Sequence, residues 1–270
     1  SSGSMFDEQD YISKNISSLV TFLQAQKIDY HIAVISSDFQ GDKGEFYHTN
    51  NNPSIITNTI SSTTALAENL KVGFMGSAIE GGLESAYLAL SEPMLSGANK
   101  DFLRNEAILA LIFMTDEEDQ SPQTFGFYSN FFLQLKPKNM LSTIAIAMNQ
   151  SCSTQTNQPE SLRYREFITD TKGIFASICD PTLWIPAIQD EIKQAQILRN
   201  FYLTFPAEIW PTITVSIDGA TISEDVITGW SYDGCDNKVS FENDPNIPIS
   251  GSVIKIDYTI RCNGLLCSIP

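Results

Sequence analysis

Several residue types and segments are scarce in this 270-residue chain, and each scarcity argues against a class of protein. There are only two histidines, and none of the five cysteines forms a Cys-x-x-Cys pair, so a zinc site of the usual spacing is not expected. Lysine and arginine total 16 against 32 acidic residues, and the net charge of −16 argues against nucleic-acid binding, which needs a basic surface. No apolar run approaches the roughly 18 residues of a membrane-spanning helix, so direct membrane insertion is not expected either.

The chain has enough apolar residues for a sizeable core, because 42% of it is hydrophobic over a length that suits one large domain, or one domain and a small one.

The cysteine positions favour disulfides in an oxidising compartment, since four of the five lie late in the chain in polar or turn-like contexts. Cys152 and Cys179 flank a predicted helix and fit one disulfide. Cys262 and Cys267 can close a small loop, or Cys235 can pair with either of them.

The first two thirds of the chain alternate between helical and strand-like patterns. Apolar spacing predicts helices at 7–27, 79–90, 163–171 and 184–198, and strands at 30–35, 105–114, 140–148 and 174–178. The segment 105–114 is almost unbrokenly apolar and is followed by Thr115 and Asp116, which is typical of a central parallel strand buried on both faces. Strands that alternate with helices predict an α/β domain with a mainly parallel sheet.

The pattern changes near residue 201. The segment 212–217 alternates at period two and runs into Asp218-Gly219, a hairpin turn sequence. Further short strands are predicted at 230–232, 239–241 and 253–260. The sequence therefore predicts an α/β domain over residues 1–200 and a small β domain over residues 201–270.

Three groups of polar residues are candidates for a binding site, because ligands of parallel α/β sheets bind at the carboxyl ends of the strands. They are the opening segment Ser1–Met5, the Gly-rich turn 76–83 that enters a helix, and Thr115-Asp116-Glu117 after the most hydrophobic strand. Hydroxyl and carboxylate oxygens, without a thiol or an imidazole, form a hard ligand set. Such a set suits Mg²⁺, Mn²⁺ or Ca²⁺ and not zinc or copper.

With these residues the chain resembles the von Willebrand factor A-type (VWA) domain. The metal-ion-dependent adhesion site of that family combines an Asp-x-Ser-x-Ser motif, a threonine from a second loop and an aspartate from a third. Ser2 and Ser4 match the two motif serines, Ser77 stands in the place of the threonine, and Asp116 matches the third-loop aspartate. The resemblance covers residues 1 to about 200 and implies the VWA fold, a Rossmann-like, mainly parallel sheet flanked by helices.

The aspartate of the first motif should immediately precede Ser1, and it is absent from the sequence together with the first strand of the family's sheet. One expectation is that the parent chain continues upstream with that strand, the aspartate and a secretion signal. The alternative is that Ser1–Met5 is a cloning scar, which removes the first loop and leaves the other two. For Ser77 the alternative to a metal ligand is an N-cap of the following helix, and both roles can hold together.

The resemblance implies a non-enzymatic module of the secreted bacterial type, located outside the cytoplasm, in the periplasm or on the cell surface. Its metal ligands would be Ser2, Ser4, Ser77 and Asp116, its cofactor Mg²⁺ (or Mn²⁺ or Ca²⁺), and its partner a protein or other macromolecule that offers a carboxylate. One alternative is a structural or assembly component of a secreted complex or fibre that keeps the fold without metal, and a more distant one is a metal-dependent hydrolase. The other nearby acids, Glu80, Glu117, Glu118 and Asp119, either tune the local field or are solvated.

Overall fold

The structure is a computed structural model that describes residues 3–49, 51–59, 63–73, 76, 78–105, 107–137, 140–196, 200–208, 212–225, 229–235, 237–241, 248 and 252–261. The chain divides into two compact units, residues 1–192 and 193–270. Within the described ranges, no helix has both the length and the apolar character that a membrane crossing requires.

The first unit alternates helices with strands. A short 3-10 turn at Gly3–Met5 leads into α1 (Phe6–Ala25), and the elements that follow are β1 (His31–Ile32), β2 (Ile56–Thr57), α2 (Thr63–Asn69), α3 (Gly82–Ala89), β3 (Leu109–Met114), α4 (Phe125–Leu135), β4 (Leu141–Ala147), α5 (Gln150–Thr156), α6 (Leu162–Thr171), β5 (Ile174–Ser177) and α7 (Trp184–Gln196), the last of which continues past residue 192.

A parallel sheet of three strands, in the order β3-β4-β5, forms the centre of this unit. Leu109 lies opposite Leu141 at the start of the first pair, and Ala147 lies opposite Ser177 at the end of the second. All seven residues of β4 are buried, as expected for a strand with a neighbour on each side and helices on both faces. The mixed α/β architecture with a helix-flanked parallel sheet confirms the coarse fold prediction.

Two hydrophobic cores cover the two faces of the sheet. The core on one face joins α1, α2 and α7 to Ile144 and Ile146 of β4. The core on the other face joins α3, α4 and α6 to Leu111 and Phe113 of β3 and to Ala145. The alternation of neighbouring β4 residues between the two cores is the period-two geometry of a strand.

Two of the predicted strands differ from the prediction. Of the segment 30–35, only His31–Ile32 is a strand, and it pairs in antiparallel fashion with Ile56–Thr57. The prediction that β3 is buried on both faces is also wrong, because Ala110 is exposed and Ile112 retains 42% of its exposure. β3 is the edge strand of the described parallel sheet, so its side chains are covered by fewer neighbours than those of β4.

The described residues of the second unit form two three-stranded sheets. Their strands are β6 (Asn200–Tyr202), β7 (Thr214–Ile217), β8 (Ala220–Ile222), β9 (Ser231–Asp233), β10 (Lys238–Ser240) and β11 (Ile254–Asp257), in the orders β6-β10-β9 and β11-β7-β8. The β7–β8 hairpin turns at Asp218-Gly219, where both residues have positive φ, as the sequence predicted. Trp230 and Phe241 anchor a small core of their own.

The predicted disulfide between Cys152 and Cys179 is present, with 5.6 Å between the Cα atoms. It joins α5 to the loop that follows β5, at the carboxyl end of the parallel strands. Cys235 is also disulfide-bonded, whereas its predicted alternatives Cys262 and Cys267 lie outside the described residues.

Candidate cation site at the carboxyl ends of the parallel strands

Asp116 lies at the carboxyl end of β3, where the sheet begins to open into loops. The ladder extends one residue beyond the strand, because the Thr115 amide donates to the Ile146 carbonyl at 3.1 Å. The Thr115 hydroxyl accepts from the Glu117 amide at 3.1 Å and turns the chain at Asp116. The Oδ1 atom of Asp116 is buried and accepts no hydrogen bond within the described part of the chain. A carboxylate oxygen in this state favours a positively charged ligand.

Glu8, in the first turn of α1, brings a second carboxylate to the same place. Its Oε2 atom is likewise buried, without a hydrogen-bond donor among the described residues. Burial raises the pKa of Glu8 most, and the negative charges of Asp116 and Asp7 raise it further. The start of α1 and the end of β3 therefore share one region of negative potential.

Side-chain contacts fix the start of α1. Met5 is buried at 5% exposure and packs in the core beneath the helix. Gln9 and Gly73 exchange two hydrogen bonds of 3.1 Å each, one donated by the Gln9 side-chain amide and one by the Gly73 backbone amide. These bonds hold the segment that precedes the Gly-rich turn against α1.

The four residues predicted as metal ligands are only partly covered by the structure. Ser4 is exposed in the 3-10 turn directly before α1, and Asp116 lies at the end of β3. Ser2 and Ser77 lie outside the described residues. The structure thus places two of the four in the loops expected of them, at the amino end of α1 and the carboxyl end of β3, and their ligand roles stay predictions.

Two acidic residues that follow Asp116, Glu118 and Asp119, attach the loop after β3 to two helices. Glu118 accepts hydrogen bonds from the Leu162 and Arg163 amides at 2.8 and 3.1 Å, and so caps the amino end of α6. Asp119 accepts from the Leu83 amide at 3.2 Å in the first turn of α3. Neither side chain is simply solvated, which was one of the two alternatives for this run.

Asp119 is the most buried acid of this loop, at 2% exposure. It accepts a hydrogen bond of 2.8 Å from the Ser121 hydroxyl, and its Oδ2 lies 3.3 Å from the Arg163 guanidinium. Burial nevertheless raises the pKa of Asp119, because desolvation outweighs these favourable contacts. Burial, followed by the charge of Asp119, also raises the pKa of Tyr164 far above its ordinary value.

The Gly-rich turn is held on its other side by Glu80 and Gly82. Glu80 is buried, accepts from the Ser37 hydroxyl at 3.0 Å, and its backbone carbonyl accepts from the Gln120 amide at 2.7 Å. A Cβ added at Gly82 would overlap the Tyr164 hydroxyl and lie 3.3 Å from the Tyr164 Cζ. Glycine is therefore required here for the close approach of α3 to α6.

Glu8 is the residue that sequence reasoning missed. Its only sequence feature is its place in the first turn of α1, four residues after Ser4, where an acid is equally explained by the helix dipole. Within the described ranges, no group of three or more His, Cys, Asp or Glu side chains is arranged to hold a metal ion.

No protein-family model matches the chain, and no curated protein matches it.

Proposed function

We propose that this chain is a VWA-type module that holds a divalent cation, Mg²⁺ (or Mn²⁺ or Ca²⁺), beside Asp116 and binds a partner through that cation. The observation that carries the proposal is the pair of buried carboxylate oxygens on Asp116 and Glu8, neither of which has a hydrogen-bond donor within the described residues. A buried carboxylate oxygen without a donor is costly, and a hard cation is the ligand that oxygen donors of this kind bind.

Asp116 supplies the charge of the proposed site, and the hydroxyls of Ser4, Ser2 and Ser77 supply neutral oxygens. When bound, the cation offers an open coordination position to a carboxylate of the partner. Glu8 deepens the negative potential that attracts the cation. The net charge of −16 repels an acidic partner in the absence of metal, so binding of such a partner depends on the cation.

The loop that carries Asp116 is well suited to present a fixed ligand. Glu118 ties it to α6, and Asp119 ties it to α3 and to Arg163. A site held by hydrogen-bonded neighbours loses little entropy when it binds its ligand. This rigidity supports a role in recognition. We propose no catalytic group for this chain.

The Cys152–Cys179 disulfide supports a location in an oxidising compartment. Together with the resemblance to secreted bacterial VWA proteins, it supports a secreted, periplasmic or cell-surface protein. We infer that the partner is a protein or other macromolecule with accessible carboxylates. We do not propose a nucleic acid as the partner.

Titration calorimetry of the full chain with Mg²⁺, Mn²⁺ and Ca²⁺ tests the proposal. We expect one cation to bind, and Asp116→Asn to weaken its affinity by about tenfold or more, because the charged ligand is lost. Asp101→Asn is the matched control, since Asp101 is an exposed turn aspartate outside these loops. The proposal fails if no cation binds, or if Asp116→Asn binds as tightly as the unaltered chain, and the metal-free assembly role then becomes the better explanation.

A further inference from the structure

Ser161 lies between the loop that carries Asp116 and the end of the neighbouring strand β4. It directly precedes α6 and is fully buried, at 0% exposure. Its hydroxyl donates to the Glu117 carbonyl at 3.1 Å and accepts from the Met148 amide at 3.3 Å. Its own amide donates to the Met148 carbonyl at 2.9 Å. One buried serine thus joins the residue after Asp116 to the residue after β4.

The side chain of Ser161 does not fill the role that its position suggests. A serine directly before a helix ordinarily accepts hydrogen bonds from the free amides of the first turn. In α6, which the structure describes in full, the Ser161 side chain caps none of these amides. Glu118 accepts from two of them instead, the amides of Leu162 and Arg163. The loop after β3 therefore caps α6, and the residue that would cap α6 binds that loop.

This exchange fixes the backbone on both sides of Asp116. Before it, the Thr115 amide donates to the Ile146 carbonyl of β4. After it, the Glu117 amide donates to the Thr115 hydroxyl, and the Glu117 carbonyl accepts from Ser161. The Thr115 hydroxyl lies 3.4 Å from that carbonyl, so Ser161 provides its shorter bond. Because both neighbouring peptide groups are held, the direction in which the Asp116 side chain leaves the backbone is set.

Stability of α6 alone does not account for this arrangement. A serine that caps its own helix stabilises it by about 1 kcal/mol and needs no bond to another loop. The hydroxyl of Ser161 instead binds the peptide group next to Asp116. That residue carries a buried carboxylate oxygen which accepts no hydrogen bond within the described part of the chain.

We propose that Ser161 is a positioning residue of the cation site, whose hydrogen bond to the Glu117 carbonyl orients the Asp116 carboxylate toward the cation. Ser161 acts through the backbone of the loop and supplies no ligand oxygen. The inference rests on the proposed function and adds to it a residue from the amino end of α6. Partners that orient a metal ligand commonly change metal affinity by about 10- to 100-fold when they are removed.

The test compares Ser161→Ala with Ser129→Ala in the full chain. Ser129 is the matched control, because it is also at 0% exposure and its hydroxyl donates to the Gly126 carbonyl and to Asp170, outside the loop after β3. Titration calorimetry with Mg²⁺, Mn²⁺ and Ca²⁺ is the first readout. We expect Ser161→Ala to weaken cation affinity by about tenfold or more, and Ser129→Ala to leave it unchanged. Both variants lose a buried hydroxyl, so a general loss of stability does not explain a difference between them.

Hydrogen exchange of the Glu117 amide in a metal chelator is the second readout, and it needs no bound cation. We expect this amide to exchange about tenfold faster in Ser161→Ala, because the peptide group that follows it is released. Ser129→Ala should exchange at the rate of the unaltered chain. Circular dichroism verifies that both variants are folded.

The outcomes separate this inference from the proposed function. If the unaltered chain binds a cation and Ser161→Ala binds it as tightly, the inference is wrong and the cation site stands. Equal weakening in Ser161→Ala and Ser129→Ala, or unchanged exchange of the Glu117 amide in Ser161→Ala, also overturns the inference alone. If the unaltered chain binds no cation, the proposed function fails and the inference fails with it.

Discussion

The carboxylates of Glu8 and Asp116 lie close enough that, after the larger effect of burial, the charge of Asp116 raises the pKa of Glu8. One oxygen of each is buried without a hydrogen-bond donor within the described residues. The two carboxylates lie at the amino end of α1 and the carboxyl end of β3. Their effect on the free energy of unfolding can be measured directly.

In a metal chelator, Asp116→Asn should increase the free energy of unfolding by about 1 kcal/mol, because a neutral amide replaces a carboxylate with one buried oxygen that has no donor among the described residues. Glu8→Gln should act in the same direction. Urea denaturation measures both effects, with Glu166→Gln at an exposed position of α6 as the control for loss of a charge. If either neutral variant is less stable than the unaltered chain, the two carboxylates have a structural role and do not repel each other.

The raised pKa of Asp119 predicts how stability depends on pH. The folded state holds the Asp119 proton more tightly than the unfolded chain, so this residue's contribution to stability is present below its unfolded pKa and is lost as pH rises through the folded pKa. Relative to Asp119→Asn, the unaltered chain should therefore lose stability between about pH 4 and the raised pKa. Denaturation curves at several pH values check the sign. A relative gain with rising pH would mean that the Arg163 ion pair outweighs desolvation.

Gly82→Ala should destabilise the first unit by about 2 kcal/mol, because the added methyl group overlaps the Tyr164 hydroxyl. Tyr164→Phe removes that hydroxyl, and the double variant should be more stable than the sum of the single effects predicts. A double-mutant cycle by urea denaturation measures the coupling. Strictly additive effects would show that the clash is relieved elsewhere.

Removal of the Cys152–Cys179 bond should lower the free energy of unfolding by about 3.5 kcal/mol, the loop-closure value for a separation of 27 residues. Cys179→Ala alone and the double variant Cys152→Ala/Cys179→Ala should lose similar amounts, since either breaks the same bond. Chemical denaturation under oxidising conditions makes the comparison. A loss below about 1 kcal/mol would show that the unfolded chain is not restrained by this bond.

The sequence predicted helices and strands well where a single local pattern, such as an apolar run or a turn dipeptide, determines the structure. The apolar stretch around Ile144 predicted β4, which has neighbours on both sides, and the Asp218-Gly219 pair predicted its hairpin. The helix Phe125–Leu135 was not predicted, because Tyr128 and Phe132 are buried in a core shared with α3 and α6, which the local pattern does not contain. The exposure of Ile112 likewise depends on what lies beside β3 and not on β3 itself.

The candidate site was partly predictable for a similar reason. Asp116 was found because it follows the most apolar strand, and position alone identifies it. The pKa of Glu8 and the ion pair of Asp119 depend on residues that are distant in the sequence. Asp116 lies 108 positions after Glu8, and Arg163 lies 44 positions after Asp119. No local spacing rule contains such relationships.

The exposed apolar edge of β3 also bears on colloidal behaviour. An unpaired strand edge is a template for another chain, and copies of this protein are kept apart mainly by their shared negative charge. That repulsion vanishes near the isoelectric point of about 4.4. Acidification to about pH 4.4 should therefore lower the solubility of the folded protein, and Ile112→Lys should partly restore it.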